Sequence, residues 1–317
     1  MNHLACDVSV VFVNYKTNKL TLNAVKSIKQ KEKNLKYEII VVDNSSDILI
    51  FNDLKEKLLD IDDQIQVINS YKNVGFGNAN NLGAKIAKGK YLLFLNTDTL
   101  LINNAITQLS NYLNDNENVG VVGPNIYDIN YNPSHSFCLY EKNIDFFNLN
   151  YGIATRIKAH ILKKRCDFNH THNPLEINGY VCGACLMIRK ELFEKIGGFD
   201  RDIFMYAEET LLCFYVIHNF NYKIFNLPNA KIMHLEGQSD IGFSEKKLEM
   251  MVEGNSIYLR KAFGLDSTII YLKKDQLLNR LLGVLKLIIS FDSNNYFFLL
   301  SKVEKRKIKE LKRNSIK

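Results

Sequence analysis

The stretch Lys90–Leu101, KYLLFLNTDTLL, is an apolar run that ends abruptly at Asn96-Thr97-Asp98. Its apolar residues predict a strand buried on both faces, because uninterrupted apolar runs bounded by polar residues are typical of parallel sheets. The carboxylate that follows has two interpretations. Asn, Thr and Asp are ordinary loop and helix-capping residues. Alternatively, Asp98 stands at the edge of the sheet where ligands bind.

Strand and helix patterns alternate through the first hundred residues. Strands are predicted in DVSVVFVNY, YEIIVVDNSSD, IQVINS and KYLLFLNTD, and helices in TNKLTLNAVKSIKQ, DILIFNDLKEKLLD and NVGFGNANNLGAKIAKGK. On the third helix, we expect Ala79, Leu82 and Ile86 to share the buried face. This alternation predicts an α/β fold with a doubly wound, mostly parallel sheet flanked by helices. Ligands of such sheets bind beyond the carboxyl ends of the strands.

Polar residues follow three of the predicted strands. They are Asp43-Asn44-Ser45-Ser46-Asp47, Asn73 with Gly75-Phe76-Gly77, and Asn96-Thr97-Asp98. Gly75 and Gly77 carry no Cβ, so the backbone there can approach a ligand closely. Asp43 is a candidate acceptor of hydrogen bonds from a nucleobase or ribose. Asp98 is a candidate ligand for Mg²⁺ or Mn²⁺, which prefer hard oxygen ligands.

Composition bounds the class of protein. The chain has 317 residues, 46% of them hydrophobic and 24% charged, which is typical of globular proteins and long enough for about two domains. Six irregularly spaced cysteines and an N-terminus unlike a signal peptide predict reduced thiols in a cytoplasmic protein. Cys182 and Cys185, with Cys166, His170 and His172 nearby, have zinc-like spacing, but YVCGACLMI has the pattern of an apolar core segment, which disfavours zinc.

The positive charge is concentrated at the C-terminal end. The chain carries a net charge of +7, and residues 302–317 hold eight Lys and Arg against two Glu. Because the rest is nearly neutral, nucleic-acid binding is not expected. Apolar, aromatic and basic residues mix in the preceding NRLLGVLKLIISFDSNNYFFLLSK, which suits a helix on an anionic membrane surface. A helical hairpin that packs on the body of the protein or forms a homodimer fits equally well.

Seven segments together resemble the family 2 glycosyltransferases of the GT-A fold, in particular the bacterial rhamnosyltransferase-like branch that builds surface polysaccharides. In order, the segments are VVFVNYKT, IIVVDNSSD, NVGFGNANNLG, FLNTDT, GACLMIRKELFEKIGGFD, FMYAEETLLC and NAKIMHLEGQS. The likeness runs from about Val8 to about Ser239. It is specific for the fold and the reaction class, and much less specific for the sugar.

The resemblance implies a role for particular residues. The residues expected to bind the donor nucleotide are Asn14, Asp43, Asn44, Asn73, Gly75, Gly77, Asn81, Asn96 and Thr97. Gly183 and Ala184 are expected beside the donor and acceptor sugars, and Asp98 and His234 are expected to hold Mg²⁺ or Mn²⁺. FLNTDT lacks one carboxylate of the DxD motif, so we expect the metal to bind weakly until the diphosphate supplies further ligands.

The segment YAEET supplies candidate bases. An inverting transfer needs a group that removes the proton of the acceptor hydroxyl. Glu209 matches the catalytic Asp of the family's Glu-Asp pair, and Glu208 would then orient it or bind the acceptor. The sequence departs from the family pattern at Glu209 and at Leu211, where a further acidic residue is usual. Both acids would also be favoured at a helix N-terminus without any catalytic role, so the identity of the base stays open.

Three rival classes of protein make different demands on these residues. A Rossmann dehydrogenase would carry its glycines after the first strand, whereas here they follow the third and Asn80 replaces the last Gly. An aspartyl phosphatase would need a nucleophile where Asn96 stands. A non-catalytic scaffold for polysaccharide assembly that keeps the GT-A fold is the alternative from another class.

The sequence therefore predicts three regions. Residues 1–125 form a nucleotide-sugar-binding lobe, 126–240 an acceptor-binding and catalytic lobe, and 241–317 a basic helical segment that contacts the membrane or dimerises. The expected reaction transfers a sugar to a lipid-linked glycan on the cytoplasmic face of the membrane, and the resembling branch alone implies rhamnose from dTDP-rhamnose as the first choice of donor. UDP-hexoses and UDP-N-acetylhexosamines are the alternative donors.

Overall fold

The structure, a computed structural model, describes residues 6–140, 170–235, 244–290 and 296–314. The strands are β1 Val8–Asn14, β2 Tyr37–Asp43, β3 Gln66–Asn69, β4 Tyr91–Leu95, β5 Thr99–Leu101, β6 Val119–Tyr127, β7 Phe137–Leu139, β8 Leu175–Glu176, β9 Gly179–Val181, β10 Cys185–Arg189 and β11 Lys223–His234. The helices are α1 Asn18–Lys31, α2 Ile48–Ile61, α3 Phe76–Ile86, α4 Ala105–Asp115, α5 Lys190–Ile196, α6 Glu208–His218, α7 Glu245–Phe263, α8 Leu265–Ser290 and α9 Tyr296–Asn314.

Within the described residues, nine strands form one sheet in the order β3-β2-β1-β4-β10-β6-β11-β5, with β8 paired to β11. Strands β3, β2, β1 and β4 pair in that order and run parallel to one another, and β6 runs parallel to β11. Strand β10 runs antiparallel between β4 and β6. The four predicted strands are confirmed, and their carboxyl ends meet at one edge of the sheet.

Helices cover both faces of the sheet. Because side chains alternate along a strand, Val10 and Phe12 of β1 face a core that contains residues of α1, α2 and α4. Val11 and Val13 face a second core with residues of α3, α5 and α6. The predicted doubly wound arrangement is therefore confirmed.

Helix α3 packs on the sheet through two of the three predicted residues: Ala79 and Ile86 contact the second core, and Leu82 does not. Ala79 is fully buried as expected, but Leu82 is 39% exposed. A Cβ at Gly83 would lie 2.4 Å from Val11 Cγ1, so α3 approaches β1 too closely for a larger residue there. The small residues Ala79 and Gly83 therefore define the contact, and Leu82 is turned outward.

The chain divides into two compact units. The first includes described residues 6–140, 170–204 and 208–235, so both predicted lobes contribute strands to one sheet. The assignment of separate donor and acceptor lobes stays a prediction. The second unit includes residues 205–207, 244–290 and 296–314.

Helices α7, α8 and α9 pack together in the second unit, which confirms the predicted C-terminal helical extension. Their apolar core contains Leu248, Val252, Leu272 and Val303. Among the described residues, no helix combines the length and the apolar character needed to cross a bilayer.

Candidate active site

The ends of β1 and β2 carry a buried polar network. Asn14 and Asp43 are in register, and Asn14 Nδ2 donates a hydrogen bond of 2.8 Å to Asp43 Oδ1. Ser45 Oγ donates a hydrogen bond of 2.6 Å to Asp43 Oδ2. Asp43 has no exposed surface, so both of its carboxylate oxygens accept from the protein itself. Direct contact between Asp43 and a donor nucleotide stays a prediction.

Asn44 and Asn73 hold the turn that leads into α3. Asn44 Nδ2 donates to Asn73 Oδ1 at 2.9 Å. The Val74 N–H and the Ser70 hydroxyl each donate to Asn44 Oδ1 at 3.0 Å. Asn73 Oδ1 also accepts from the Gly75 N–H at 3.0 Å. These amides have a structural role, and a role in nucleotide binding stays a prediction.

The close backbone approach expected at Gly75 and Gly77 is made by the chain itself. Gly75 has a φ of +88°, and a Cβ there would lie 2.2 Å from the carbonyl oxygen of Phe204. A Cβ at Gly77 would lie 3.1 Å from Phe199 Cβ. These glycines therefore admit the segment 199–204, and their contact with a nucleotide stays a prediction.

Asn81 also pairs with that segment. Its Nδ2 donates to the Phe199 carbonyl at 2.8 Å, and its Oδ1 accepts from the Phe199 N–H at 2.9 Å. The amide therefore fixes a loop of the protein, and its expected role in nucleotide binding remains untested.

The two predicted metal ligands lie together. Strand β5 pairs with β11 so that Thr99 is in register with His234, and the Leu235 N–H donates to the Asp98 carbonyl at 2.8 Å. As a result, Asp98 Oδ1 lies 3.2 Å from His234 Nε2. Asp98 is only 5% exposed. This arrangement offers one carboxylate and one imidazole to a cation.

Asn96 and Thr97 complete this end of β4. Asn96 Oδ1 is buried and has no hydrogen-bond partner among the described residues. A buried acceptor without a partner destabilises the folded protein, which favours a ligand there. Asn226 Oδ1, elsewhere in the sheet, is also buried without a partner in the described part of the chain. An unpaired oxygen alone therefore does not identify a ligand site, and Asn96 is a candidate because Asp98 follows it two residues later. Thr97 Oγ1 lies 3.1 Å from Thr17 Oγ1.

A chain of contacts connects this metal-binding segment to the predicted base. The Asn96 N–H donates to the Ala184 carbonyl at 2.9 Å. The neighbouring Gly183 is so close to Glu209 that a Cβ there would lie 3.4 Å from Glu209 Cδ. The structure thus brings together the predicted residues of FLNTDT, GAC and YAEET.

The two adjacent acids have different environments. Glu208 is 5% exposed, and its Oε2 has no hydrogen-bond partner among the described residues. Burial, together with the charge of Glu209, raises the pKa of the Glu208 carboxyl to about 8. Glu209 is half-buried at the first turn of α6. Burial raises the pKa of its carboxyl too, while the backbone N–H groups of Glu209 and Thr210 oppose the rise.

The backbone before α6 is strained. Tyr206 and Ala207 both have a φ of +71°, in the left-handed region that costs energy for residues with a Cβ. Such strain often marks functional sites, where the surrounding structure maintains it. Here it immediately precedes the acid pair.

Sequence reasoning missed two residues of this region. Thr17 contacts Thr97, and the signal for it was the polar residues after β1, a fourth polar strand end. Tyr180 lies near Glu209. Burial is the main cause of the raised pKa of the Tyr180 hydroxyl, and the charges of Cys138 and Glu209 contribute smaller amounts. No sequence pattern distinguished Tyr180 from the other aromatic residues.

Fold and site together define a class of protein. Residues that suit a divalent cation, Asp98 and His234, and a pair of adjacent acids lie together at the carboxyl edge of an α/β sheet, the edge at which such sheets bind ligands. Residues 9–197 match the family model of Glycosyl transferase family 2. The chain belongs to this family and is a glycosyltransferase.

Known proteins resemble the chain over most of its length. It is 26% identical over 238 residues to the dTDP-rhamnosyl transferase RfbF of Shigella flexneri, which covers 74% of this chain and 71% of that protein. The mannosyltransferase PcManGT of Pyrobaculum calidifontis, solved with GDP-Man and Mn²⁺, superposes with a TM-score of 0.57 at 14% identity, over 95% of this chain and 87% of the other. GalNAc-T7, solved with UDP, GalNAc and Mn²⁺, gives a TM-score of 0.58 at 16% identity, over 84% of this chain and 51% of the other. The predicted GT-A fold is confirmed.

Proposed function

We propose that this protein is an inverting, metal-dependent transferase that moves one sugar from a nucleoside-diphosphate donor to a growing lipid-linked surface glycan, with dTDP-rhamnose as the donor. The observation that carries the proposal is the contact chain from Asp98 and His234, through Asn96 and Ala184, to Glu209. It supports the proposal because a candidate cation site and a candidate base lie at the two ends of one continuous series of contacts.

The residues at the end of β4 suit a divalent cation. Asp98 and His234 would hold it, and the orphaned oxygen of Asn96 would face the donor beside it. When bound, such a cation neutralises negative charge that develops on a departing diphosphate. Mn²⁺ in the structures of PcManGT and GalNAc-T7 supports this choice. Mg²⁺ has the same preference for oxygen ligands.

Glu209 is the better candidate for the base. Glu209 as a whole is half-buried and its carboxylate lies beside Gly183, whereas Glu208 is 5% exposed. In the proposed step, Glu209 takes the proton of the acceptor hydroxyl as the hydroxyl oxygen forms a bond to the anomeric carbon. The bond from that carbon to the diphosphate breaks, and its electron pair leaves with the nucleoside diphosphate. Burial raises the pKa of both carboxyls, and the two charges oppose each other, so the pair favours one ionised and one protonated member; in the proposed step the ionised member is Glu209, which lies beside Gly183.

The choice of donor is supported by the likeness to RfbF alone. At 26% identity, UDP-hexoses and UDP-N-acetylhexosamines are the competing donors. The lipid-linked acceptor, the cytoplasmic location and peripheral contact with the membrane belong to the same proposal.

A donor screen tests this proposal. The thermal midpoint of the protein with Mn²⁺ should rise with dTDP-rhamnose more than with UDP-glucose, UDP-galactose or UDP-N-acetylglucosamine. Stabilisation by a UDP-sugar but by no dTDP compound would overturn the rhamnose assignment. Stabilisation by no nucleotide sugar, with or without Mn²⁺, would favour the scaffold alternative.

A further inference from the structure

Helix α8 is apolar on two opposite sides. Ile269, Leu272, Leu278 and Leu282 are buried. The other side exposes a second apolar set, which we call the outer face of α8 and which consists of Ile270, Leu277, Leu281, Val284, Leu285 and Leu287. Each of its members is between 37% and 51% exposed. A helix that is apolar all round is normally covered on all sides, so the outer face is expected to have a partner.

The outer face has the dimensions of an interaction surface. From Ile270 to Leu287 the helix rises about 26 Å, at ~1.5 Å per residue. Contiguous apolar surface of this kind marks contact with protein or membrane. The helix itself does not meet the requirements for crossing a bilayer, as noted for the described residues, so contact along its side is the relevant geometry.

Charge distinguishes between the two kinds of partner. Lys273 and Arg280 are exposed among the apolar residues of the outer face, and neither forms an ion pair with a described residue. Asp266, at the start of the helix, is the single exposed acid on α8 among the described side chains. From Ile270 onward, every exposed charge on the described part of α8 is therefore positive.

The neighbouring helix α9 adds to this positive charge. Arg306 and Lys307 pair with glutamates of α7, whereas the exposed Lys305, Lys309 and Arg313 form no ion pair with a described residue. Residues 244–290 and 296–314 together contain fifteen Lys and Arg against seven Asp and Glu. This excess exceeds the net charge of the whole chain, which is +7.

We propose that the outer face of α8 lies on the surface of a bilayer that contains anionic lipids. Its apolar side chains would enter the boundary between headgroups and acyl chains, and Lys273 and Arg280 would contact the lipid phosphates. A second copy of the chain fits less well, because pairing two outer faces would bury these cations against a surface that carries no acid beyond Asp266. The inference names a membrane-facing surface for the proposed function, but it does not depend on turnover.

Vesicle co-sedimentation tests this inference. The full chain should bind vesicles of phosphatidylglycerol and phosphatidylcholine at least about tenfold more tightly than vesicles of phosphatidylcholine alone, with the difference reduced by salt. Leu277→Glu with Leu281→Glu should weaken binding about tenfold or more. The matched control is Leu49→Glu, a change of the same kind at a 75% exposed leucine of α2, which should leave binding unchanged.

A second variant guards against misfolding. Lys273→Gln with Arg280→Gln alters only exposed side chains and should remove most of the preference for anionic vesicles, while circular dichroism remains unchanged. Equal binding of the Leu277→Glu, Leu281→Glu variant and the wild type would overturn the inference. The inference would also be overturned if light scattering without vesicles showed a stable dimer of the wild type that the Leu277→Glu, Leu281→Glu variant dissociates.

The failure of this inference is distinguishable from failure of the proposed function. Vesicle binding is measured without donor or acceptor, and the Glu209→Gln variant should bind vesicles as the wild type does. Loss of vesicle binding in that variant would contradict the assignment to α8.

Discussion

Two groups of polar residues at the same edge of the sheet differ in where their hydrogen bonds go. Asn14, Asp43, Asn44 and Asn73, which we call the internal network, bond to one another and to the backbone around them. The second group, which we call the candidate catalytic group, is Asn96, Asp98, Glu208 and Glu209. It includes two buried oxygens without a partner among the described residues, Asn96 Oδ1 and Glu208 Oε2.

The difference separates structural polar residues from candidate functional ones. A satisfied network stabilises the fold and positions the turn before α3. Buried polar atoms without partners destabilise the fold, and native proteins retain few of them without another reason. Substitutions in the internal network should therefore lower stability, and substitutions in the candidate catalytic group should lower activity.

The largest expected effect is on turnover in Glu209→Gln. Removing a general base reduces the rate by about 10²–10⁴-fold, while the Michaelis constant for the donor should change by only a few fold. The measurement is release of nucleoside diphosphate in the presence of donor, acceptor and Mn²⁺. Glu208→Gln is the matched control, and its turnover should fall less than about tenfold, since that carboxyl is enclosed and protonated near neutral pH.

The opposite ranking would reverse the assignment of the base. If Glu208→Gln abolished turnover and Glu209→Gln did not, Glu208 would be the base. If both variants kept full turnover, the acid pair would have no part in the reaction.

Asp98→Asn should have the next largest effect. The substitution keeps the shape of the side chain but removes its charge, and a reduction in turnover of roughly 10²–10³-fold is expected for loss of electrostatic stabilisation. The increase in thermal midpoint that Mn²⁺ produces in the presence of UDP or dTDP should disappear. Asp43→Asn is the matched control at another buried aspartate, and it should keep the Mn²⁺ effect at a lower midpoint.

The Asp43→Asn control also identifies the result that would contradict the division between the internal network and the candidate catalytic group. The Asn14 and Ser45 donors both need a carboxylate oxygen at Asp43, and an amide offers a single acceptor oxygen. A metal response that is lost in Asp43→Asn but kept in Asp98→Asn would place the cation site in the internal network.

A smaller effect is expected from a pair of asparagine substitutions. Asn44→Ala removes the partner of Asn73 and of the Val74 N–H, and it should lower the free energy of unfolding by about 1–3 kcal/mol. Asn96→Ala removes a buried oxygen that has no partner, so its free energy of unfolding should not fall, while its turnover falls. Urea denaturation measures both. Equal losses of stability would mean that the orphaned oxygen of Asn96 has no functional meaning.

The elements of the fold that can be predicted from sequence are those set by local pattern. Apolar runs that end in polar residues predicted β1 to β4, and the alternation with helices predicted the parallel order. The C-terminal helices were predicted from the mixture of apolar, aromatic and basic residues in that segment. The prediction that Leu82 lies on the buried face of α3 was wrong. The close approach of Gly83 to Val11 depends on how two elements pack, and the sequence pattern of one helix does not reveal it.

The site was predictable to a lesser degree. Strand ends and the family resemblance indicated Asp98 and the acid pair. The sequence did not predict which side-chain amides form hydrogen bonds within the protein. Asn81, for example, bonds to Phe199, which lies 118 residues away, and no local pattern encodes that partner. The same holds for Gly75, whose neighbour is the carbonyl of Phe204.

The last expected effect is the contribution of Glu208 to the pH dependence of stability. Its pKa is raised from the ordinary value of 4.5 to about 8 by burial. Between those pH values, the folded protein holds a proton that the unfolded chain has released, so stability falls as pH rises. The slope from this group is at most about 1.4 kcal/mol per pH unit.

Glu208→Gln removes that proton and keeps the shape of the side chain. Relative to the wild type, the variant should gain stability steadily from pH 5 to pH 8, as measured by urea denaturation at each pH. Glu56→Gln, a change at an exposed glutamate of α2, is the control and should show a constant difference. A constant difference in Glu208→Gln as well would mean that Glu208 is already ionised in the folded protein, and the contrast with Glu209 would then rest on exposure alone.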